Sequence, residues 1–235
     1  MLLPSLSILI PCYNDEQTIE TVIREAHAVG RSIARVFEIV LINDGSTDRT
    51  GQSIARLARK FPDGVVRIIT HCTNQGYGRT IKQLYYAGRY DWLFSIPGDY
   101  QIRAKELLRI LSLRPGGRAD CMPDMIVGRR LKRHDPANRL VSSFLYNTLI
   151  RILFGVPIHD VNSVRLMRRA ILKDIRLTSD SAFVDAELVI RATRAGFDVG
   201  QVPIRHRSRS DGGSGGGNQW GTIRATIIDM IRFLL

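Results

Sequence analysis

Short apolar runs alternate with longer amphipathic stretches in the first half of the chain. The apolar runs, which are rich in branched aliphatic residues, predict strands at residues 6–10, 37–42, 65–69 and 92–96. They are apolar almost throughout, so we expect each strand to be buried on both faces of a sheet. Between them, apolar residues at helical spacing predict helices at 18–28, 50–59 and 80–87. This order predicts an α/β fold with a parallel sheet and right-handed crossovers.

The second half has a less regular pattern. It predicts a strand at 125–127, an apolar-rich helix at 140–154, another helix at 185–195 and a strand at 198–202. A glycine-rich stretch at 212–217 has the composition of a flexible linker or mobile loop. The apolar stripe beyond it predicts a helix that packs on protein or lies in a membrane interface, with Ile223, Ile227, Met230, Ile231 and Leu234 as its members. We expect one domain at 1–210, with the loop and amphipathic helix at 211–235 belonging to it.

Polar, turn-rich segments follow the four predicted strands of the first half. They lie at 11–16, 43–48, 73–78 and 97–101. In open parallel sheets, ligands bind beyond the carboxyl ends of the strands. Any one of these segments could be an ordinary turn, because Asn, Asp and Gly suit turns for backbone reasons alone. Four of them together favour a binding site at this edge of the sheet.

The composition adds an expectation about partners. Lys and Arg total 34 against 22 Asp and Glu, a net charge of +12, which predicts an anionic partner such as phosphate, nucleic acid or an acidic lipid surface, or serves solubility. Nucleic acid is disfavoured because the basic residues are scattered and match no common binding module. Cys12, Cys72 and Cys121 form no close pair, which argues against a disulfide framework or zinc site and favours the cytoplasm. We expect neither a membrane span nor a signal peptide, since no apolar run approaches ~20 residues.

Several segments resemble glycosyltransferase family 2. SILIPCYNDEQTI at 7–19 and EIVLINDGSTDRT at 38–50 are similar to the family's P-x-Y-N-E and D-D-G-S-x-D-x-T motifs. The resemblance continues in order through NQGYGRTIKQLYYAG at 74–88, PGDYQ at 97–101, VGRR at 127–130, FVDAEL at 183–188 and VPIRHRSRSDGGS at 202–214. The last segment resembles dolichol-phosphate mannosyltransferases and bacterial polyprenyl-phosphate glycosyltransferases, with Arg209, Gly212 and Ser214 in register. The resemblance implies a GT-A fold and inverting transfer of a sugar from a UDP- or GDP-sugar to a polyprenyl phosphate.

The chain departs from the family pattern at four places. Asp15 stands for the usual Glu, and Asn43 for the first Asp of D-D-G-S. The D-x-D-x-Q motif reads PGDYQ, so Pro97 replaces a carboxylate. HDVNSVRL at 159–166 resembles D-x-x-S-G-F-R-L but is one residue shorter, which weakens the correspondence at Ser163 and Arg165.

The resemblance implies a nucleotide pocket formed by Pro11, Tyr13, Asp15 and Asp44. Carboxylates can accept hydrogen bonds from a base or ribose, and Tyr13 offers an aromatic surface. Asp44 could equally be a turn or helix-cap residue, because DGST lies where a helix begins.

The departing nucleoside diphosphate gains negative charge, which a cation, arginines or backbone donors must stabilise. Asp99 and Gln101 present oxygen atoms two residues apart and could hold Mg²⁺ or Mn²⁺, with Asp99 counted as catalytic. Because Pro97 supplies no carboxylate, we expect weak metal binding. The alternative is that PGDYQ is a simple turn without an ion.

The acceptor decides whether a base is needed. The second pKa of a phosphate monoester is about 6, so a lipid phosphate attacks without a strong general base. Arginines would then position the phosphate, and the family-matching candidates are Arg129, Arg130 and the catalytic candidate Arg209, with Ser214 as a further substrate contact. A hydroxyl acceptor would require a carboxylate base, either Asp160 or Asp185.

The resemblance to polyprenyl-phosphate glycosyltransferases, together with the region around the helix predicted at 140–154, favours a peripheral position at the inner membrane surface. Arg129, Arg130, Lys132 and Arg133 precede it, and its apolar stripe could enter the lipid headgroup boundary or simply cover the sheet. The stripe consists of Leu140, Phe144, Leu145, Leu149, Ile152 and Leu153. The competing functions are a transferase with a soluble or saccharide acceptor and a non-catalytic protein that binds nucleotide sugars.

Overall fold

The computed structural model describes residues 2–113, 122–131, 135–208 and 220–235. Its strands are β1 (Leu3–Cys12), β2 (Ala34–Asn43), β3 (Val66–Thr70), β4 (Trp92–Ser95), β5 (Met125–Leu131), β6 (Arg165–Arg168) and β7 (Val199–Arg205). Its helices are α1 (Ile19–Ile33), α2 (Thr50–Ala58), α3 (Tyr77–Ala87), α4 (Glu106–Leu113), α5 (Ala137–Phe154), α6 (Ile171–Asp174), α7 (Val184–Arg194) and α8 (Trp220–Leu234).

The described strands form one sheet in the order β3-β2-β1-β4-β6-β5-β7. Strands β3, β2, β1 and β4 are parallel, as are β5 and β7, whereas β6 runs antiparallel to both of its neighbours. The expected α/β fold with a mostly parallel sheet is therefore confirmed. The short antiparallel strand β6, which no sequence pattern indicated, joins the two parallel parts.

Helices cover both faces of the sheet. Apolar residues of α1, α2 and α4 pack with one face in a first core cluster. Those of α3, α5, α7 and α8 pack with the other face in a second cluster. This two-sided burial explains why β1, β2 and β4 are apolar almost throughout.

The expectation that all four early strands are buried on both faces is wrong for β3. This strand lies at the edge of the sheet, and Ile68 is 38% exposed. An edge strand pairs on one side only, so its apolar residues are covered less completely. The helices α4 and α6 were also missed, because α6 has only 4 residues and α4 only 8, too few to display a clear helical period.

The register of the sheet brings the polar segments together. Cys12 pairs with Asn43, and Asn43 pairs with Thr70, so three strands end side by side. Because β6 is antiparallel, its first residue, Arg165, pairs with Ser95 at the end of β4. One edge of the sheet therefore collects the ends of β1 to β4 and the start of β6.

Candidate active site

Hydrogen bonds between side chains and backbone join the segments that follow β1 and β2. Asn14 N donates to Ser46 Oγ at 3.1 Å, and Thr47 N donates to Asn14 Oδ1 at 2.9 Å. Asp15 N donates to Thr50 Oγ1 at 2.8 Å, at the start of α2. The two family-like motifs therefore form one unit in the structure.

Asp15 and Tyr13 have different environments within this unit. Asp15 is buried, and its Oδ2 accepts a hydrogen bond from Tyr13 N at 3.0 Å. Tyr13 is 44% exposed, so part of its ring faces the solvent. Pro11 is half-buried, and its carbonyl accepts from Gly98 N at 3.2 Å. Asp15 thus shapes the loop, while Tyr13 offers a surface to a ligand.

Asp44 connects the segment after β2 to the segment after β3. Its Oδ1 is 2.7 Å from His71 Nδ1 and accepts from Gln75 N at 2.8 Å. Its Oδ2 accepts from Gly76 N at 3.0 Å. Asp44 is buried, and its carboxylate organises the loop at 73–76.

The role of helix cap falls to a different residue. Asp48 Oδ1 accepts a hydrogen bond from Thr50 N at 2.9 Å, at the first residue of α2. The alternative that Asp44 caps this helix is therefore wrong. Gly45 has a φ of 66°, and a Cβ there would lie 2.5 Å from backbone atoms of Thr73 and Asn74. Only glycine allows these two loops to approach so closely.

The PGDYQ segment is tied to its surroundings on both sides. Asp99 is half-buried, and its Oδ1 accepts from Gln101 N at 3.1 Å. Tyr100 adopts a φ of 59°, and its hydroxyl donates to Glu25 Oε2 at 3.0 Å. Arg207 N donates to the carbonyl of buried Gln101 at 2.9 Å. A Cβ at Gly98 would lie 2.7 Å from Asp15 Oδ2, so this segment also packs closely against the first loop.

The oxygen donors in this segment suit a hard divalent cation in type but are few. Asp99 offers a carboxylate and Gln101 an amide oxygen, and Mg²⁺ and Mn²⁺ favour such ligands. In the part of the chain that the structure describes, no group of three or more His, Cys, Asp or Glu residues is arranged to hold a metal ion. The donor set therefore fits an ion that takes most of its ligands from substrate phosphates and water.

Arg130 and Asp160 form a bidentate ion pair at the end of β5. Arg130 Nε donates to Asp160 Oδ2 at 2.8 Å, and Nη2 donates to Oδ1 at 2.6 Å. Burial disfavours the charged guanidinium, but hydrogen bonding to Asp160 and the negative charge of nearby carboxylates together outweigh this and raise the pKa of Arg130. Arg129 is exposed instead, because neighbouring strand residues project to opposite faces.

Asp185 lies in a fully buried polar network at the start of α7. Its Oδ1 is 3.0 Å from Arg165 Nη2 and accepts from the Tyr85 hydroxyl at 3.1 Å. Its Oδ2 accepts from the Tyr77 hydroxyl at 2.8 Å. Burial raises the pKa of Asp185, against the opposing effect of the Arg165 charge. Nearby Glu187 accepts from Thr178 N, at 2.9 Å, and from Ser179 N.

Tyr77 connects the two sides of this edge, and the sequence patterns did not single it out. It is 47% exposed, although its hydroxyl reaches the buried carboxylate of Asp185. It directly follows Gly76, whose backbone N donates a hydrogen bond to Asp44. Tyr77 and Tyr85 lie eight positions apart, a helical spacing that places them on one face and was the available signal.

Two other side chains at this edge also lacked an assigned role. Arg165, buried in β6, was left in doubt by the shortened motif, yet its Nη2 donates to the carbonyls of Val161 and Ser163 at 2.9 and 3.0 Å. His71 gave no signal beyond its position after a strand.

The predicted residues Arg209 and Ser214 lie outside the described residues, as do the glycine-rich stretch, Lys132, Arg133 and Cys121.

Beside the site, α5 exposes most of its apolar residues. Phe144 is 69% and Ile152 75% exposed, and only Asn147 and Ile150 are buried among the residues of this helix. The alternative that this stripe covers the sheet is therefore wrong for most of its length. Phe154, at the end of α5, packs against Phe233 of α8, with ring centroids 5.6 Å apart. Among the described helices, none combines the length and apolar character needed to cross a bilayer.

The chain matches a known protein family over most of its length. The profile of Glycosyl transferase family 2 matches residues 7–176. Polyprenol monophosphomannose synthase of Mycolicibacterium smegmatis is 30% identical over 222 residues, which cover 87% of this chain and 78% of that protein. Undecaprenyl-phosphate 4-deoxy-4-formamido-L-arabinose transferase of Pseudomonas paraeruginosa is 28% identical over 211 residues, or 89% of this chain. The matched region spans 59% of the length of this second relative.

A solved structure shares the fold at low identity. Glucosyl-3-phosphoglycerate synthase from Mycobacterium tuberculosis, in complex with Mn²⁺, UDP and glucosyl-3-phosphoglycerate, superposes with a TM-score of 0.73. The match covers 97% of this chain and 79% of that chain at 16% identity. At this identity the likeness establishes the fold alone.

Proposed function

The chain belongs to glycosyl transferase family 2, and from that membership we propose that it transfers a sugar from a nucleoside-diphosphate sugar to a polyprenyl phosphate. The names of the two relatives given above include undecaprenyl phosphate and polyprenol monophosphomannose, which supports a lipid-phosphate acceptor. The α/β sheet is the GT-A fold that the family resemblance implies. Attack by the phosphate oxygen on the anomeric carbon would invert its configuration and release the nucleoside diphosphate.

The choice of a phosphate acceptor rests on the contacts and burial of the two candidate bases, Asp160 and Asp185. A hydroxyl acceptor needs a carboxylate that can take its proton. Both carboxylate oxygens of Asp160 accept hydrogen bonds from Arg130. Asp185 is fully buried, and Tyr77 donates to it. A phosphate acceptor needs neither carboxylate as a base, because it is already largely ionised near neutrality.

The same contacts suggest a positioning role for Arg130. Asp160 fixes the guanidinium through Nε and Nη2, which leaves Nη1 with donors for a phosphate oxygen. An arginine held in advance loses less conformational freedom when the acceptor binds. Arg130 would thus orient and neutralise the lipid phosphate, and Asp160 would hold Arg130 in place.

On the donor side, the segments after β1 and β2 would hold the nucleotide. Tyr13 offers an exposed ring to the base, and the buried carboxylates of Asp15 and Asp44 keep the surrounding loops in shape. Asp99 and Gln101 would hold Mg²⁺ or Mn²⁺, which when bound neutralises charge on the departing diphosphate. Tyr77 follows Gly76, whose amide donates to Asp44, and its hydroxyl donates to Asp185, so Tyr77 would connect the donor loops to this buried carboxylate.

We place the reaction at the cytoplasmic face of a membrane, where the protein would be peripheral. The exposed apolar residues of α5 could enter the headgroup region, and the net charge of +12 favours anionic lipids. Cys12 and Cys72 are unpaired thiols, which suits a reducing compartment. The glycine-rich stretch and α8 belong to the same catalytic domain in this proposal.

Incorporation of label into lipid tests the proposal. The purified protein is incubated with radiolabelled UDP- and GDP-sugars, polyprenyl phosphate, and Mg²⁺, Mn²⁺ or a chelator, and the lipid phase is then extracted. We expect label in the lipid phase, reduced when the chelator is present. Label on a soluble acceptor instead, or nucleotide binding without donor consumption, would contradict the proposal.

A pair of substitutions at the ion pair separates the two acceptor chemistries. Loss of a general base costs about 10²–10⁴ in rate. Asp160→Asn keeps the shape of the side chain and one oxygen that can accept from Arg130, so the folded variant should lose less than about tenfold in rate, or roughly 1.4 kcal/mol of transition-state stabilisation, although the broken charge pair lowers its stability. Arg130→Met removes the phosphate contact and should cost about 10²-fold or more. If Asp160→Asn were the more damaging of the two, Asp160 would be acting as a base.

A further inference from the structure

His71 connects the segments that follow β2 and β3 to helix α3. It follows β3 directly, and its backbone N donates to the carbonyl of Asn43 at 3.0 Å. Its side chain reaches Asp44 on one side and Gln83 of α3 on the other. Through Asp44 it is connected to Gln75 N and Gly76 N, the two amides that this carboxylate holds.

Both ring nitrogens of His71 face oxygen atoms. Nδ1 is 2.7 Å from Asp44 Oδ1, and Nε2 is 2.7 Å from Gln83 Oε1. A neutral imidazole has one donor and one acceptor, whereas an imidazolium donates from both nitrogens. A carboxylate and an amide oxygen can only accept, so this geometry suits the imidazolium.

The charges around the ring also favour the charged form. Asp44, from the segment after β2, is the carboxylate in contact with the imidazole. The nearby cationic residues of α3, Arg79 and Lys82, are bonded to Asp180 instead. Burial lowers the pKa of His71, but the hydrogen bonds to Asp44 and Gln83 outweigh this effect and raise it above the ordinary value.

We propose that His71 is a positioning residue of the donor site, which acts as an imidazolium to hold Asp44 and the loop at 73–76 in the nucleotide-binding arrangement. This inference rests on the proposed function, because it assigns that edge to the nucleotide. His71 need not touch the nucleotide or the reacting atoms. Its protonation would control how tightly the donor binds, and would leave the later transfer step little changed.

The direction of the pH dependence follows from the raised pKa. The contribution of the imidazolium is complete below the ordinary pKa of histidine, about 6.5, and is lost as pH rises through the raised value. Donor binding should therefore weaken on the alkaline side. Replacing a charge-assisted hydrogen bond by a neutral one should weaken UDP or GDP binding by roughly tenfold.

The test combines nucleotide titration calorimetry with NMR titration of the histidine rings. UDP and GDP serve as probes from about pH 5 to about pH 9, which brackets histidine titration. We expect the wild-type affinity to fall through the pKa of His71, and His71→Gln to bind weakly with no such step. Gln83→Glu, which adds a second carboxylate, should raise the pKa of His71 and move the step to higher pH.

His27→Gln serves as the control, because His27 packs between Phe37 and Phe61 away from this edge. It should keep the wild-type pH profile. In turnover assays, His71→Gln should raise KM for the donor with little change in kcat. A His71 ring that titrates at or below the ordinary value, or a His71→Gln profile identical to wild type, would overturn the inference. If UDP or GDP bound with this pH step but no lipid product formed in the transfer assay, only the proposed acceptor would be overturned.

Discussion

The proposed donor side and the proposed acceptor side of the site are stabilised in different ways. The donor side, formed by the segments after β1, β2 and β3, is held by backbone amides that donate to short side chains such as Asn14, Asp44 and Asp48. The acceptor side, at β5, β6 and the start of α7, is held by Arg130 with Asp160 and by Arg165 with Asp185. The donor side thus depends on loop shape, and the acceptor side on paired buried charges.

This difference predicts where each side is vulnerable. A loop held by many backbone hydrogen bonds loses a modest amount of stability with each substitution. A buried charge that loses its partner costs much more, because the remaining ion stays desolvated. Substitutions on the acceptor side should therefore affect folding, whereas those on the donor side should affect nucleotide binding first.

The largest effect is expected at Arg165. Arg165→Met leaves the Asp185 carboxylate without its cation in a fully buried site, and should lower the free energy of unfolding by about 3–5 kcal/mol. Urea denaturation followed by circular dichroism measures this loss. Arg168→Met is the matched control on the same strand, because the Arg168 side chain is 47% exposed and its pair with Asp124 is worth at most about 1 kcal/mol. Equal costs at the two positions would remove the contrast between buried and exposed pairs.

A smaller effect is expected at Gly45 on the donor side. Gly45→Ala places a Cβ against the backbone of the neighbouring loop at a left-handed φ, so the loops must separate. The left-handed conformation alone costs an alanine about 1–2 kcal/mol. Nucleotide titration should show weaker binding, with a smaller loss in the urea midpoint than for Arg165→Met. Gly64→Ala provides a comparison, since Gly64 has a φ of 81° but no atom within 4 Å of the added Cβ. If both variants bound nucleotide equally well, close packing of the loops would not matter for the donor.

The smallest effect is expected on the apolar face of α5. Phe144→Ser and Ile152→Ser should each weaken flotation with anionic liposomes by roughly tenfold, because each removes about 1.5–3 kcal/mol of apolar transfer free energy, part of which is used at an interface. The fold should be unaffected, since both residues are exposed. Wild-type protein that fails to associate with anionic vesicles at low salt would argue against this interface.

Much of the secondary structure of the donor side could be predicted from the sequence because strands and turns carry local patterns. Apolar runs predicted β1, β2 and β4, and turn residues after them predicted the polar edge. The boundaries were short by up to several residues, since polar residues at strand ends carry no apolar signal. Strand β6 was missed because its four residues, Arg-Leu-Met-Arg, show no strand pattern.

The acceptor side could be predicted only as a set of residue types. Asp160 and Asp185 were recognised as carboxylates that could serve as bases, but their arginine partners were not assigned to them. Tyr77 and Tyr85 come from α3, about 100 positions from Asp185, as the sequence separations of 108 and 100 residues record. No local pattern encodes contacts over such distances.

The sequence by itself determined the parallel strands, the polar turns that follow them and the family to which the chain belongs, because periodicity and turn chemistry act over a few neighbouring residues. Only the tertiary structure decided which charges are paired and which apolar faces remain exposed. It placed Asp185 beneath Tyr77, joined Asp44 to His71 and left Phe144 in contact with solvent. Burial and charge pairing depend on the packing of distant elements, and a residue's type does not specify its neighbours.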